Sequence, residues 1–234
     1  MAFASSDQWA DKEFVLLEVK KSWTALGKAA VHLRADKEVV LAAVTHDGKA
    51  LQFAAESLRV DKEVVLAAVR NRGTALVFAA QPLLADREIA LAAMTCGSVL
   101  KWVAKPLQAD KEVVLAAVRT CGRALEYAAE PLKSDREIVL AAVQDDGGAL
   151  EFASKGLRGD RKVVFAAVMG RGHEGLRYAA TSFLADKEIV LAAVKKDKQA
   201  FDFVFSYPLC RDAEVLEAAG KKVGWTDSLA DLMG

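Results

Sequence analysis

The stretch DKEVVLAAV at positions 36–44 decides the fold, because it returns letter for letter at 61–69 and again at 110–118. Close copies begin at other aspartates, separated from their neighbours by 24 to 26 residues. A fixed period of this length is the signature of a repeat architecture. The sequence therefore predicts about nine repeats of roughly 25 residues, the last one truncated, each opened by an aspartate. The nine are Asp11, Asp36, Asp61, Asp86, Asp110, Asp135, Asp160, Asp186 and Asp212.

Within one repeat the letters predict two short helices joined by a turn. Asp36 can accept from free N–H groups of the next turn, so it is typical of a helix N-cap. The run that follows predicts a first helix over 37–46, which Gly48 would end by adopting the left-handed conformation. A second helix is expected over 49–56. In several repeats a proline comes just after it and would prevent it from continuing: Pro82, Pro106 and Pro131.

Strands are a poorer interpretation, because VVLAAV does not alternate between polar and apolar residues. A helix pair this short cannot bury its own apolar surface, whereas stacked neighbours can. We therefore predict an all-α solenoid of helix-turn-helix repeats, wound as a right-handed superhelix. The first helix is apolar nearly all round, so its leucines, Leu115 among them, are expected in the core.

The whole chain, 1–234, is expected to be a single domain. Charged residues stand at normally apolar positions near both ends: Glu18 and Lys28 in the first repeat, and Glu217 in the last. Terminal repeats need such a polar outer face. The predicted organisation is an N-terminal cap over about 1–35, repeats over about 36–211 and a C-terminal cap over about 212–234.

The repeated motif is similar to that of a known family. DREIVLAAVQDDGGALEFAS at 135–154 and its sister segments resemble the tandem-repeat family catalogued as domain of unknown function 4116. The resemblance extends from about Asp11 to Leu209 and implies a helical repeat fold. The family carries no assigned activity, so no catalytic residue can be transferred to this chain.

Composition argues against several classes of function. The 32 basic and 32 acidic residues balance, whereas a dedicated nucleic-acid binder normally carries a basic stripe. Apolar runs are too short to span a bilayer, and no secretory signal is recognisable at the start, so membrane insertion is not expected. Three cysteines are too few for a disulfide scaffold. The expected location is intracellular, in the cytoplasm.

No pattern in the sequence predicts catalysis, a cofactor or a metal. His32, His46 and His173 lie in different repeats without ligands at metal-binding spacing. Cys96 and Cys121 precede the turn glycine of adjacent repeats and are interpreted as free thiols. The glycine-rich segment at 170–175 follows a helix and lacks the Lys-Ser/Thr of a phosphate loop, so it is interpreted as a lengthened turn. We expect a protein that is not an enzyme.

Variation among the repeats is concentrated on the second helix and in the turn before it. A uniform stack with one varied face is suited to holding an extended partner. The sequence thus predicts an interaction or scaffold protein that binds a protein of unknown identity, as a monomer or within a larger complex. A structural subunit of an assembly is the alternative, and RNA binding is a weaker one, because the varied row has no basic track. The predicted partner-binding residues are Gln52, Val77, Lys101, Glu126, Glu151, Arg177 and Asp202.

Overall fold

The computed structural model describes residues 5–170 and 174–221, and within them every regular element is a helix. The all-α repeat solenoid predicted from the period is confirmed. Contacts divide the chain into two compact units, Met1–Thr120 and Cys121–Gly234, called here the N-terminal and C-terminal units. The single-domain organisation, the cap boundaries and the handedness of the superhelix stay predictions. Residues 1–4 and 222–234 of the expected caps lie outside the described residues.

Each repeat begins with a long α-helix, as predicted, and the first complete example starts and ends at the expected residues. In the N-terminal unit the long helices are Lys12–Lys21, Lys37–His46, Lys62–Asn71, Arg87–Ala93 and Lys111–Thr120. In the C-terminal unit they are Arg136–Asp145, Arg161–Met169, Lys187–Lys196 and Ala213–Ala219.

The aspartate that opens each repeat caps this long helix. The Asp36 carboxylate accepts from the backbone N–H groups of Glu38 and Val39, at 3.0 and 3.2 Å. The other eight aspartates accept from backbone N–H groups of the first turn in the same way. A short carboxylate at this position satisfies donors that have no partner within the helix. The N-cap prediction is therefore confirmed for all nine repeats.

The second segment differs from the prediction, because it is a 3-10 helix that ends earlier. In the second repeat it spans Gly48–Phe53 rather than 49–56. The equivalent segments are Trp23–Lys28, Gly73–Phe78, Gly97–Trp102, Gly122–Tyr127, Gly147–Phe152 and Lys198–Phe203. We call these the 3-10 segments. A further 3-10 turn, Gln8–Ala10, precedes the first long helix.

A third, very short helical segment follows in most repeats and was not predicted. The prolines belong to its start instead of merely ending the second helix: Pro82 and Pro106 occupy its first turn and Pro131 caps it. This position suits proline, whose missing N–H would have no helical partner there. The third segments are Val31–Arg34, Glu56–Arg59, Gln81–Ala85, Lys105–Gln108, Leu132–Ser134, Lys155–Arg158, Thr181–Ala185 and Pro208–Arg211.

A backbone hydrogen bond between neighbouring repeats explains the break between the second and third segments. Ala54 is extended, and the N–H of Ala55 donates to the carbonyl of Arg34 in the preceding repeat, at 2.8 Å. The same bond joins Ala80 to Arg59 at 3.0 Å. An N–H committed to another repeat is not available to continue a helix. The tertiary contact therefore ends the 3-10 segment after Phe53.

The core is built from one face of each long helix and the inner side of each 3-10 segment. Val39, Val40, Ala43 and Val44 are fully buried, as are Ala50 and Leu51. The leucine at the centre of the long helix is only half-buried, so the expectation that Leu115 lies in the core is wrong. The helix buries one face against its neighbours and leaves the Leu–Ala side partly in contact with water.

The turn glycine is required by a close approach between repeats and not by its own backbone angle. Among the described residues only Gly220 has a positive φ, so Gly48 is not the left-handed stop that the sequence predicts. A Cβ at Gly48 would lie 2.3 Å from the carbonyl oxygen of Ala68 in the next long helix. At Gly73 the distance to the Ala93 oxygen would be 2.1 Å. Glycine lets one repeat pack directly on the backbone of the next.

A ladder of ion pairs crosses the starts of the long helices. The Nζ of Lys37 lies 2.8 Å from Asp61 Oδ2 and 2.8 Å from Glu63 Oε2, both in the following repeat. Arg87 contacts Asp110 and Glu112 in the same way. Other members are Lys12, Lys62, Arg136, Arg161 and Lys187. Asp61 and Asp110 therefore each cap their own helix and also hold the cation of the previous repeat.

The terminal repeats place the predicted charged residues as follows. Glu18 is half-buried and pairs with Lys21 at 2.7 Å, and the Nζ of Lys28 lies 5.5 Å from the ring centre of Trp9. Glu217 is exposed.

In the ranges 5–170 and 174–221, the helices fall short of the length and apolarity needed to cross a bilayer.

Replacement of Gly73 by alanine is expected to destabilise the protein, because the added methyl group would collide with the Ala93 carbonyl. The expected loss in the free energy of unfolding is about 1–3 kcal/mol. Gly156→Ala is the matched control: its Cβ meets nothing within 4 Å and it lies in a helix. That change should stabilise the protein by up to about 1 kcal/mol. Urea denaturation of both variants measures the difference, and equal effects would contradict the close-approach explanation.

The two kinds of leucine are expected to respond differently to truncation. Leu76, fully buried in a 3-10 segment, should cost about 2–5 kcal/mol when changed to alanine. Leu66, half-buried on a long helix, should cost about 1 kcal/mol, because its side chain already contacts water. Thermal and urea melts of the two variants provide the comparison. A larger loss for Leu66→Ala would show that the assignment of the core face is wrong.

Substitutions of Asp110 separate its capping role from its ion pair. Asp110→Ala removes both and should cost about 1 kcal/mol or slightly more, whereas Asp110→Asn keeps an acceptor oxygen and should cost less than about 1 kcal/mol. In 1 M salt the Asn variant should approach the wild type, because salt screens exposed charges, while the Ala variant should not. Persistence of the Asn deficit in high salt would contradict a role for the ion pair.

The same aspartate should make stability depend on acid pH. The Arg87 guanidinium, followed by the N–H of Val113, holds the pKa of Asp110 below its usual value. The ionised form therefore favours the folded state above the unfolded pKa of about 3.9, and this contribution disappears as the pH falls through the lower folded pKa. In melts between pH 6 and pH 3, the stability difference between wild type and Asp110→Asn should shrink.

Candidate interaction surface

The seven residues predicted to bind a partner occupy equivalent positions and are all exposed. Six of them are the fifth residue of a 3-10 segment, and Arg177 lies in the corresponding turn of its repeat. We call these seven the 3-10 row. Within a segment, Ala50 and Leu51 point into the core while Gln52 points out, so the segment has one inner and one outer side.

The two compact units each bring part of the 3-10 row together. In the N-terminal unit, segment Gly48–Phe53 contacts segment Gly73–Phe78, which contacts Gly97–Trp102. In the C-terminal unit, Gly122–Tyr127 contacts Gly147–Phe152. A second exposed row runs beside the first at the start of the third segments: Glu56, Gln81, Lys105, Glu130, Lys155, Thr181 and Ser206. Neighbouring repeats thus present their varied side chains side by side.

The N-terminal part of the 3-10 row changes from neutral to cationic. Gln52 donates to the carbonyl of Lys49 at 3.1 Å, and Val77 is 49% exposed. The Nζ of Lys101 lies 4.8 Å from the ring centre of its neighbour Trp102. A cation above an aromatic face keeps its charge available at the surface. This part of the row therefore offers a partner an apolar contact at Val77, followed by a cationic contact at Lys101.

The C-terminal part of the row is mostly acidic, with Glu126, Glu151 and Asp202 beside Arg177. Partial burial, then the hydrogen bond with Glu151, raises the pKa of Tyr178. Partial burial, then the charge of Glu126, raises the pKa of Tyr127. Both phenols therefore stay protonated at neutral pH, where they can donate to a carboxylate.

The aromatic that recurs at the end of the 3-10 segments, except in Trp23–Lys28, is half-buried and not a core residue. Phe53, Phe78 and Trp102 are examples in the N-terminal unit. Trp23 stacks on Phe53 with ring centres 5.9 Å apart and planes at 24°. The fully buried position is the leucine two residues earlier, such as Leu51. The aromatics therefore lie partly buried, each next to a residue of the 3-10 row.

Several varied turn residues hold neighbouring repeats together, which explains part of their variation. The Asn71 amide donates to the Thr45 carbonyl and accepts from the Gly48 N–H, both at 2.9 Å. Thr120 and Lys196, at the equivalent position, reach carbonyls at the end of the preceding long helix, at 3.2 and 2.8 Å. Different side chains thus join neighbouring repeats at this position. These turn residues are less available to a partner than the 3-10 row.

The titratable residues considered for chemistry are dispersed. His32 and His46 are exposed, and the cysteines at 96, 121 and 210 are free. His173 and part of the glycine-rich turn fall outside the described residues. Among the residues that the structure describes, no group of three or more His, Cys, Asp or Glu side chains could hold a metal ion.

Two features were missed when the sequence was interpreted. The basic residue that follows a capping aspartate links its repeat to the next one, as Lys37 does, and the recurrence of this residue beside two acidic ones was the available signal. The sequence contains no signal for the partial exposure of the central Leu–Ala pair, because leucine and alanine are as apolar as the residues of the core. Only the packing of the long helices distinguishes the two apolar faces.

Comparison with known proteins identifies one family. The family model described as a domain of unknown function, DUF4116, matches five segments, of which the last four overlap in succession: 36–84, 86–133, 110–158, 135–180 and 160–209. No curated protein matches the chain. No solved structure matches it either.

Proposed function

Because this chain belongs to the DUF4116 family of tandem helical repeats, whose function is not assigned, we propose that it is a non-catalytic protein that binds another protein through the 3-10 row. The observation that carries the proposal is the exposure of all seven residues on a frame that is otherwise repeated almost unchanged. Stacked repeats that differ on one side can read a partner one position at a time.

The chemistry of the row supports a protein partner more than a nucleic acid. A strand of RNA would need cationic side chains along its whole path and exposed aromatic platforms. The C-terminal part of the row instead carries Glu126, Glu151 and Asp202, and the aromatics beneath it are half-buried. A polypeptide with charges of both signs matches this surface better.

Affinity purification with mass spectrometry from the native source provides the test, with the wild-type chain and two variants as baits. The wild type should recover a partner that is lost with Lys101→Glu in the N-terminal unit combined with Glu126→Lys and Glu151→Lys in the C-terminal unit. The matched control is Lys162→Glu, an exposed charge reversal on the long helix Arg161–Met169, away from the row. The control should retain the partner.

Circular dichroism of the purified variants must show unchanged helix content before the comparison is made. Equal recovery with all three baits contradicts binding through the row. A partner that stays with every bait in stoichiometric amount through size-exclusion chromatography would instead favour the alternative, a structural subunit of a larger assembly.

A further inference from the structure

A second surface lies on the outer side of the long helices in the N-terminal unit. Each helix there presents a leucine and an alanine that are half-buried, whereas the valines on its inner side are fully buried. We call this the Leu–Ala face, and it comprises Leu41, Ala42, Leu66, Ala67, Leu91, Ala92, Leu115 and Ala116. In the first long helix the alanine is replaced by Leu17, which is 59% exposed.

The face is continuous within the N-terminal unit and contains a depression. Each long helix contacts the next one, so the Leu–Ala pairs form a row across the helix axes. At its start, a cavity of about 440 Å³ is lined by Leu41 and Ala42, with Lys20, Thr45 and His46 around them. An apolar floor with a polar rim is the usual character of a site that receives apolar side chains.

One edge of the Leu–Ala face is basic. The exposed position at the C-terminal end of the long helices is Lys20, Thr45, Arg70, Thr95 and Arg119 in successive repeats, with no acidic residue among them. The Thr45 hydroxyl is satisfied by the carbonyl of Leu41 in its own helix, at 2.7 Å. Lys20, Arg70 and Arg119 are called the basic edge.

The charges of the opposite edge are already balanced. Glu38 and Glu63 lie at the other end of the face and are held by Lys12 and Lys37 of the ion-pair ladder. On the basic edge, within the part of the chain that the structure describes, the Arg70 guanidinium lies 3.6 Å from Glu88, and its side chain is 65% exposed. A partner that places negative charge along the basic edge would therefore complement this face.

We propose that the Leu–Ala face of the N-terminal unit binds an amphipathic helix of a protein partner that has an apolar stripe flanked by acidic residues. Packed helices lie about 8–10 Å apart, and seven residues of an α-helix rise about 10.5 Å. A helix lying across the long helices therefore places about one apolar side chain of each heptad over each Leu–Ala pair. Its acidic residues then face the basic edge, where the cations recur in every second repeat.

A second copy of this chain does not satisfy the same demand. Two N-terminal units placed face to face would bring together either their two basic edges, which is unfavourable, or the basic edge of one and the opposite edge of the other, whose glutamates the ion-pair ladder already holds. In the C-terminal unit the equivalent edge positions are Gln144, Met169 and Lys195, so that unit supplies no acidic edge. The proposed partner, a different protein, supplies the acidic flank.

Fluorescence anisotropy with the full chain and a synthetic, labelled peptide tests the proposal. The probe is a helical peptide of about 24 residues with leucines at heptad spacing and glutamates along one flank. Saturable binding is expected, and it should weaken at least about tenfold for the double variant Arg70→Glu, Arg119→Glu. Lys101→Glu, on the 3-10 row, is the matched control and should leave the affinity within about twofold.

Two further peptides make the result specific. A peptide with lysines in place of the glutamates should not bind the wild type but should bind the double variant. A peptide of the same composition with two central prolines cannot form the helix and should bind weakly. Absent saturation, equal binding of the lysine peptide, equal binding of the proline peptide, or no effect of the double variant would each overturn the proposal. The variants alter a face other than the 3-10 row, so failure here leaves the proposed function standing.

Discussion

Everything in this fold depends on the burial of a Val-Val-x-x-Ala-Val face that no single repeat can cover. A long helix of about ten residues has marginal stability in water on its own. Its four buried positions lose contact with water only because a neighbouring long helix and a 3-10 segment close over them. A glycine at the start of most 3-10 segments allows that closure, since at Gly48, Gly73 and Gly122 a Cβ would strike a carbonyl of the next repeat. The period of the chain is thus a packing requirement repeated along the sequence.

Charges join the same neighbours on the outside. One aspartate satisfies the free N–H groups of its own helix and the cation of the preceding repeat, so a single side chain serves both local and tertiary structure. Exposed ion pairs are individually weak, and here they act beside a core that already fixes the distances. Their recurrence aligns successive helices without adding apolar surface. The turn bonds made by Asn71, Thr120 and Lys196 do the same at the other end.

This division of labour leaves two surfaces with different chemistry. The outer side of the 3-10 segments changes from repeat to repeat. The outer side of the long helices is nearly constant and apolar, with a basic edge in the N-terminal unit. A varied polar row suits selective recognition, whereas a constant apolar face suits a partner with its own regular period. The two surfaces would allow one chain to engage two kinds of segment.

The sequence by itself determined the period, the nine capping aspartates, the bounds of the long helix at 37–46 and the exposure of the seven varied positions. These follow from local rules, because a cap, a helical run and an outward position depend on residues within a turn or two. Only the tertiary structure decided that the second helix is a 3-10 segment ending at Phe53, that Gly48 is needed for a close approach, and that Leu115 is half-buried. Each of these depends on a neighbouring repeat. The N–H of Ala55 donates to the preceding repeat, and the carbonyl of Ala68 in the next repeat leaves no room for a side chain at Gly48. Packing against the neighbours also selects which of two equally apolar helix faces is buried. The residues of one repeat do not by themselves specify which atoms of the next repeat come within contact distance.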